Sequence, residues 1–378
     1  MDEAEKQRGS GEDAAQQGKG FFTLNLSQVD RMVQQGAGAE EVMAYLVLVR
    51  GTSVRSKGVS THGANSIAIR AGMTHHRSEL AMGELAADGY IKKLDGIEDM
   101  VKKRRPRWQI TEAPDGPEVA LANTLVDGIG RGREHPPLAR IYNDVGLGKH
   151  CVMADARLDT IMVLLHLYRH QSLADYGGIN PRDGVFRQWV EAENSYGEKV
   201  LDMGGNAALY EIQGGGNTVF NKFAAEALFY VGDQDERHIR FWDAFNNLHR
   251  LGLLYEVIQV WTADPERDKK AEPLYTLYVF DRHAREKEPY LSRAIHAAAL
   301  RCGTLDAYEE FPPGVGWEGS GNIIGTGRFR FVANKKTGGF PIGIYRLKFR
   351  PHTRDTGKGM EAEKRRVEKW ANALEAFR

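Results

Sequence analysis

The stretch IAIRAGMTHHRSELAMGELAADGYI, residues 67–91, decides how the N-terminal part of this chain is expected to fold. Gly72 interrupts a segment that otherwise favours helix. Because glycine enters the left-handed backbone region without steric cost, it predicts a sharp turn between two helices. Thr74 predicts the N-cap of the second helix, since its hydroxyl can accept a hydrogen bond from a backbone N–H one turn further on. That helix is expected to end at residues 88–89, where a strand begins.

Both faces of this second helix can be predicted from its spacing. Four residues recur at helical intervals and are expected to face the core: Ser78, Ala81, Met82 and Leu85. The opposite side carries His75, His76, Arg77, Glu79 and Gly83. The helix is therefore expected to present a polar surface with several basic groups.

Structured segments are predicted on either side of this helix pair. Residues 21–27, FFTLNLS, predict a short strand running into a helix that Ser27 caps. Residues 39–51, AEEVMAYLVLVRG, predict a helix that Gly51 ends. Residues 91–111 predict two short strands around a charged loop.

The order of short helix, glycine turn, second helix, glycine and strand resembles the winged helix-turn-helix of bacterial transcription regulators. The resemblance covers residues 40–112 and rests on IAIRAGMT, HHRSELAMGEL and AADGYI. It implies that the helix starting at His75 lies in the major groove of DNA, with its first turn toward the base edges. Arg77 would then make a bidentate contact to guanine. The other implied contacts to DNA on this helix are Thr74, His75, His76 and Glu79.

The charged loop between the two strands would be the wing. The resemblance implies that the basic residues of this region lie along the phosphates, and they are Lys92, Lys93, Lys102, Lys103, Arg104, Arg105 and Arg107. The loop also holds Asp95, Glu98 and Asp99, a departure from the family that leaves the path of the wing on DNA open. Two other interpretations stay open, because a helix-turn-helix also serves as a protein–protein scaffold and a basic run is often only a solvated surface.

Residues 221–285 repeat the same order in degenerate form. A predicted helix with apolar Phe241, Phe245 and Leu248 ends in RLGLLYEV, and a strand, a charged loop and a second strand follow. This segment predicts a second winged helix, with an ordinary helix and hairpin packed on the core as the alternative. Its candidate DNA contacts are Arg237, His238 and Arg240. Tandem winged helices resemble the architecture of plasmid replication initiators.

These segments together predict an α+β chain that is mainly helical. A length of 378 residues fits two or three domains. The predicted parts are a disordered tail (1–20), the winged helix-turn-helix (21–113), a helical linking domain (114–220), the second winged helix (221–285) and a C-terminal α/β region with a charged terminal helix (286–378).

We find no persuasive catalytic constellation, so the chain is not expected to be an enzyme. The glycine-rich GGGNTVFNK, residues 214–222, lacks the Gly-Lys-Ser/Thr ending of a phosphate-binding loop. His166 and His170 share a helical spacing, but no glutamate stands where a zinc protease needs one. The adjacent His75 and His76 point apart on a helix, so neither a metal site nor a cofactor is predicted.

Composition bears on the partners and the cellular location expected for the protein. The formal net charge is zero, so nucleic-acid binding would depend on a local basic surface. No apolar run approaches the roughly 18 residues of a membrane span, and the N-terminus has no apolar signal core. The two cysteines, Cys151 and Cys302, suggest neither a disulfide framework nor a zinc set. The predicted location is the cytoplasm.

The predicted function is binding of double-stranded DNA, as a transcription regulator or replication initiator of a bacterium or mobile element. The alternative is a structural subunit of a nucleoprotein complex that uses winged helices to contact protein partners. A DNA-acting enzyme whose active site is not recognisable is a third hypothesis. The central region is a candidate for forming a homodimer or for linking the two winged helices, and the DNA target site stays open.

Overall fold

The structure is a computed structural model that describes residues 20–52, 58–94, 107–111, 116–129, 135–145, 156–174, 177–189, 207–211, 216–220, 223–265, 267–280, 316–318, 330–334 and 340–375. These residues divide into two compact units. The first comprises the described residues within Met1–Arg169, Ala224–Leu253 and Phe349–Arg354, and the second those within His170–Phe223, Leu254–Lys348 and Asp355–Arg378. The described residues form both helices and antiparallel sheets, so the α+β class is confirmed.

The first unit contains most of the described helices. In chain order it begins with β1 (Phe21–Asn25), α1 (Leu26–Gln34), α2 (Ala39–Arg50), β2 (Val59–Ser60), α3 (Ala64–Ala71), α4 (His75–Ala87), β3 (Ile91–Lys93) and β4 (Trp108–Ile110). It continues with β5 (Glu118–Ala122), α5 (Asn123–Asp127), α6 (Pro137–Asp144), α7 (Ala156–Arg169), α8 (Phe223–Ala227, in this unit from Ala224) and α9 (Gln234–Arg250).

The first strand runs directly into a helix, as predicted, but the helix cap differs. β1 pairs antiparallel with β5. The side chain of Asn25, rather than that of Ser27, accepts a hydrogen bond from the backbone N–H of Gln28 at 3.2 Å. The prediction of Ser27 was wrong because α1 already begins at Leu26, which places Ser27 inside the first turn.

Helix α2 lies among the other helices of the first unit and is buried on nearly every side. Its residues 42–48 are each at most 1% exposed. A helix that is apolar all round is stable only when neighbours cover it, and α3, α4 and α7 are among the elements that pack against α2. The predicted end of this helix at Gly51 is confirmed.

The turn between α3 and α4 has the predicted geometry. Gly72 has a φ of 74°, in the left-handed region. A Cβ at this position would also lie 2.8 Å from the side-chain nitrogen of Asn143 on α6. Glycine is thus required both by its backbone conformation and by a close neighbour. The side chain of Thr74 accepts a hydrogen bond from the backbone N–H of Arg77 at 3.2 Å, which confirms the predicted N-cap.

A small antiparallel sheet accompanies these helices. Its strand order is β2–β4–β3, and Lys92 of β3 pairs with Gln109 of β4. The predicted pair of strands on either side of the charged loop is confirmed. The sequence did not predict β2, because two residues are too few to show an alternating pattern.

Helices α7 and α9 pack against each other in the same unit. Residues 158–168 of α7 are all buried, in line with the apolar pattern of this segment. Asp159 is a buried acid on α7, only 3% exposed. It accepts hydrogen bonds from the Arg240 guanidinium at 2.8 Å and from the Tyr230 hydroxyl at 2.6 Å. Buried carboxylates need such partners, so this ion pair fixes how the two helices meet.

The second unit is built on antiparallel sheets. Its elements are β6 (Gln171–Ser172), β7 (Gly178–Ile179), β8 (Val185–Trp189), β9 (Ala207–Glu211), β10 (Gly216–Phe220), β11 (Leu254–Trp261), β12 (Pro273–Phe280), β13 (Gly316–Glu318), β14 (Arg330–Asn334), β15 (Phe340–Leu347) and α10 (Arg354–Glu375, in this unit from Asp355). A five-stranded sheet has the order β10–β8–β15–β11–β12 and a three-stranded sheet the order β13–β14–β9. The apolar core beside the larger sheet consists of Phe186, Trp261, Ala271, Ile342 and Ile344.

The segment predicted as a second winged helix is divided between the two units. Helix α9 lies in the first unit, whereas the β11–β12 hairpin lies in the second. The whole length of β11 pairs with β15 on one edge, while β12 pairs on the other, so the hairpin is the edge of a larger sheet and not a separate wing. The predicted boundaries of 221–285 are corrected accordingly.

Other predicted boundaries also change. The predicted helical linking domain, residues 114–220, contains β5 to β10 as well as helices, and it contributes to both units. The charged terminal helix is present as α10. The predicted tail, apart from Gly20, and residues 281–315 of the predicted C-terminal region lie outside the described residues.

Candidate nucleic-acid interface

Helix α4 presents a buried side, an outward side and two flanks. The buried side consists of the residues predicted for it, Ser78, Ala81, Met82 and Leu85, none of which is more than 4% exposed. This side holds α4 against α2 and α3. Because successive residues of a helix are rotated by about 100°, the remaining positions can be assigned to the outward side and the flanks.

The outward side lies opposite the buried one and consists of His76, Leu80, Gly83 and Ala87. All four residues are exposed. Leu80 is 51% exposed and is the one large apolar side chain on this side of α4. The residues predicted for the polar face are all exposed, but His75, Arg77 and Glu79 lie on the flanks, so the strip directly opposite the core carries little charge.

One flank carries Arg77, and this side chain has an acidic partner. Its guanidinium donates to the carboxylate of Glu40 on α2 at 3.2 Å. The hydroxyl of Tyr142 donates to the same carboxylate at 2.8 Å. Burial raises the pKa of Tyr142, and its hydrogen bond to Glu40 raises that pKa further, so the hydroxyl stays protonated. The side chain of Arg77 is still 59% exposed, so it remains accessible, and a contact to guanine would compete with Glu40.

The other flank faces a groove of about 830 Å³. The groove lies between α4, the start of α3 and the strands β3 and β4, and its lining includes His75, Glu79, Lys93 and Trp108. The Nδ1 atom of His75 lies 3.5 Å from the carboxylate of Glu79. The structure thus brings three of the predicted contact residues together in one groove, on a different side of α4 from Arg77.

Basic residues are exposed on the sheet beside this groove. Lys92 and Lys93 on β3 and Arg107 just before β4 are all exposed. In the described ranges none of the three forms an ion pair. Such cations are available to phosphate groups. The other predicted wing contacts lie outside the described residues: Lys102, Lys103, Arg104 and Arg105.

Two further basic side chains line the groove, and each is bound to another group of the protein. The Nδ1–H of His62 donates to the backbone carbonyl of Val47 at 2.9 Å, and burial lowers the pKa of His62. Arg70 lies 3.0 Å from the carboxylate of Asp127, which also binds Arg50 at 2.6 Å. One carboxylate between two guanidinium groups leaves a net positive charge near the groove.

The candidate contacts on α9 do not form a comparable surface. The Arg237 guanidinium donates to the backbone carbonyl of Gly232 at 3.0 Å and 3.1 Å. His238 accepts a hydrogen bond from an indole N–H one turn further along the helix, at 2.6 Å. The prediction that Arg240 contacts DNA is corrected, because this side chain is 14% exposed and bound to the buried Asp159.

Several features of this region were not predicted as contacts. Leu80 lies one helical turn from His76, so its exposure follows from the same spacing that identified the buried side. The place of Trp108 in the groove depends on how β4 pairs with β3, which the spacing of the strands does not reveal. His166 on α7, one of the two histidines at helical spacing, is buried, with its Nε2 atom 3.5 Å from the carboxylate of Asp30.

The described residues contain no group of three or more histidine, cysteine, aspartate or glutamate side chains that could hold a metal ion. Among the helices described above, none combines the length and the apolar character needed to cross a bilayer. Comparisons with protein-family models, with curated proteins and with solved structures found no match.

Proposed function

We propose that the region of residues 40–112 is a winged helix-turn-helix that binds double-stranded DNA. The observation that carries the proposal is the placement of α4: its exposed flank with His75 and Glu79 faces a groove beside a sheet whose Lys92, Lys93 and Arg107 lack ion-pair partners among the described residues. The left-handed Gly72 and the Thr74 cap set the direction in which α4 leaves α3. This order of elements supports the winged-helix assignment.

In this proposal, α4 enters the major groove and the basic residues of the sheet contact the sugar–phosphate backbone. A helix with side chains fits the width of the major groove of B-form DNA. Phosphate contacts supply most of the sequence-independent affinity, and Lys92, Lys93 and Arg107 are the described candidates for them. The chain would act without enzymatic activity of its own, as a cytoplasmic transcription regulator or replication initiator.

A gel-shift experiment with matched lysine pairs tests this proposal. The variant Lys92→Ala/Lys93→Ala removes two exposed cations beside α4, whereas the control Lys269→Ala/Lys270→Ala removes two exposed neighbouring lysines from the second unit. We expect the first variant to bind random duplex DNA at least about fivefold more weakly than the control at low salt. Equal affinities of the two variants would contradict the assignment of DNA binding to this region.

A second function is contact with a protein partner in a nucleoprotein complex. The exposed apolar side chains of this region favour it, since Leu80 on α4 and Ile69 on α3 are 51% and 62% exposed. Exposed apolar side chains of this size are more typical of protein contacts than of phosphate contacts. If the wild-type protein shifts no duplex even at low salt, this second function replaces DNA binding.

A further inference from the structure

Leu80 on α4 is exposed and does not belong to the buried side that packs against the core. It belongs to the outward side of the helix and is 51% exposed, whereas the apolar side chains on the buried side of α4 are at most 4% exposed. A leucine at such a position contributes little to the core. Its side chain is instead available to a molecule that binds the outward side of α4.

Gly83 lies one turn further along the same side of α4. A Cβ built at Gly83 would have no atom within 4 Å, so neither packing nor a positive φ requires glycine there. Glycine inside a helix costs about 0.5–1 kcal/mol relative to alanine. Because Gly83 has no side chain, there is open space directly beside Leu80, and another molecule can approach closely there.

The chemistry around this position identifies the kind of molecule. Lys92, Lys93 and Arg107 lie on the neighbouring sheet without ion-pair partners in the described ranges, which favours a polyanion. Arg77, the residue predicted to recognise guanine, lies on a flank of the helix, where it is paired with Glu40 and 59% exposed. The outward side itself offers the apolar Leu80 beside His76 and carries no guanidinium group.

We infer that Leu80 is a specificity-determining residue that contacts thymine methyl groups in the major groove. The C5-methyl group of thymine is the apolar feature that distinguishes an A·T pair in this groove, and apolar side chains recognise it. The inference rests on the proposed function and goes beyond it, because it replaces contact to guanine by Arg77 with contact to thymine by Leu80. The open space at Gly83 lets the base edges come close to Leu80.

Replacing thymine by uracil tests the inference directly, since uracil lacks only the methyl group. Duplexes that bind the wild-type protein are first selected from a randomised pool, and each is then prepared with thymine or with uracil. We expect the wild-type protein to bind the uracil duplex about fourfold more weakly for each methyl group that Leu80 contacts. Leu80→Ala is expected to bind both duplexes with equal affinity.

The matched control is Ile69→Ala, which removes an exposed apolar side chain from α3, outside the outward side of α4. This variant is expected to keep the wild-type ratio between thymine and uracil duplexes. A wild-type protein that binds both duplexes equally, or a Leu80→Ala variant that keeps the wild-type ratio, would overturn the inference while DNA binding itself stands. Failure of the wild-type protein to bind any selected duplex would instead overturn the proposed function.

Discussion

Gly83 shows most clearly how a single residue of α4 departs from what stability alone would favour. The position is helical, exposed and free of neighbours within 4 Å of a built Cβ. Alanine would fit there and would restrict the unfolded chain more than glycine does. Gly72 is the opposite case, because its φ of 74° and the nearby Asn143 exclude a side chain.

The variant Gly83→Ala is expected to raise the free energy of unfolding by about 0.5–1 kcal/mol. The same change is expected to weaken DNA binding, since the added methyl group occupies the space beside Leu80. Thermal or urea unfolding and gel shift measure the two effects. The control Gly357→Ala, at an exposed helical position in α10 that is equally free of neighbours, should raise stability without changing DNA affinity.

A variant Gly83→Ala that is more stable and binds DNA as tightly as the wild-type protein would show that the glycine has no role in binding. That result would also weaken the argument that Leu80 needs open space beside it. A variant that is less stable would contradict the described surroundings of this residue.

At the scale of elements, the contact between α7 and α9 depends on a buried charge. Asp159 is 4% exposed and Arg240 is 14% exposed in their side chains, and their closest atoms are 2.8 Å apart. The hydrogen bond to Asp159 is the main cause that raises the pKa of Arg240, which keeps the guanidinium charged. Removing one partner leaves the other buried without compensation.

Arg240→Ala is therefore expected to destabilise the first unit by about 3–5 kcal/mol, as measured by urea unfolding. The control Arg237→Ala lies one turn earlier on α9 and loses only hydrogen bonds to a backbone carbonyl, so we expect it to cost less than about 1 kcal/mol. The double variant Asp159→Leu/Arg240→Met should recover much of the lost stability. Equal costs for the two single variants would contradict a structural role for Arg240.

His62 connects the loop before α3 to the end of α2 and makes this contact sensitive to pH. Burial lowers the pKa of His62 in the folded state below its ordinary value of 6.5. Because the unfolded chain then binds more protons, stability is complete above pH 6.5 and falls as the pH drops through and below that value. The hydrogen bond to Val47 is made by the neutral ring, whose Nδ1–H donates.

The variant His62→Asn should reduce this dependence on pH, since an amide N–H can still donate to the carbonyl but does not titrate. Urea unfolding of both proteins above and below pH 6.5 measures the difference. We expect the wild-type protein to lose more stability on acidification than the variant. The same loss in both proteins would assign the pH dependence to other groups.

The charge of the whole molecule makes the proposed DNA binding a local property. The chain has 51 basic and 51 acidic residues and no formal net charge, so affinity cannot arise from overall attraction. A surface with uncompensated cations still releases counter-ions from DNA when it binds, and affinity then falls as salt rises.

The slope of log affinity against log salt concentration is expected to be clearly negative for the wild-type protein. Each lost phosphate contact reduces its magnitude by about 0.9, so Lys92→Ala/Lys93→Ala should reduce it by about 2. The control Lys269→Ala/Lys270→Ala should leave the slope unchanged. Titrations at several salt concentrations measure these slopes, and an identical slope for both variants would exclude phosphate contacts by the lysines of β3.

The local features of the N-terminal region follow from the sequence by itself. The turn at Gly72, the cap at Thr74 and the buried side of α4 depend on residues within one or two helical turns, and the structure confirms them. The predicted strands on either side of the charged loop are also confirmed. Whether α4 binds DNA stays a prediction, because spacing and exposure do not identify a partner.

Only the tertiary structure decided which side chains are available for binding and where the units divide. Arg77 meets Glu40 from 37 residues away, and Arg240 meets Asp159 from 81 residues away, so no local pattern could show that these guanidinium groups have partners. The hairpin of the predicted second winged helix likewise joins a larger sheet because β15 pairs with β11. Hydrogen bonds and ion pairs between distant segments form when folding brings those segments together. For that reason the sequence by itself could not predict which residues would be partners.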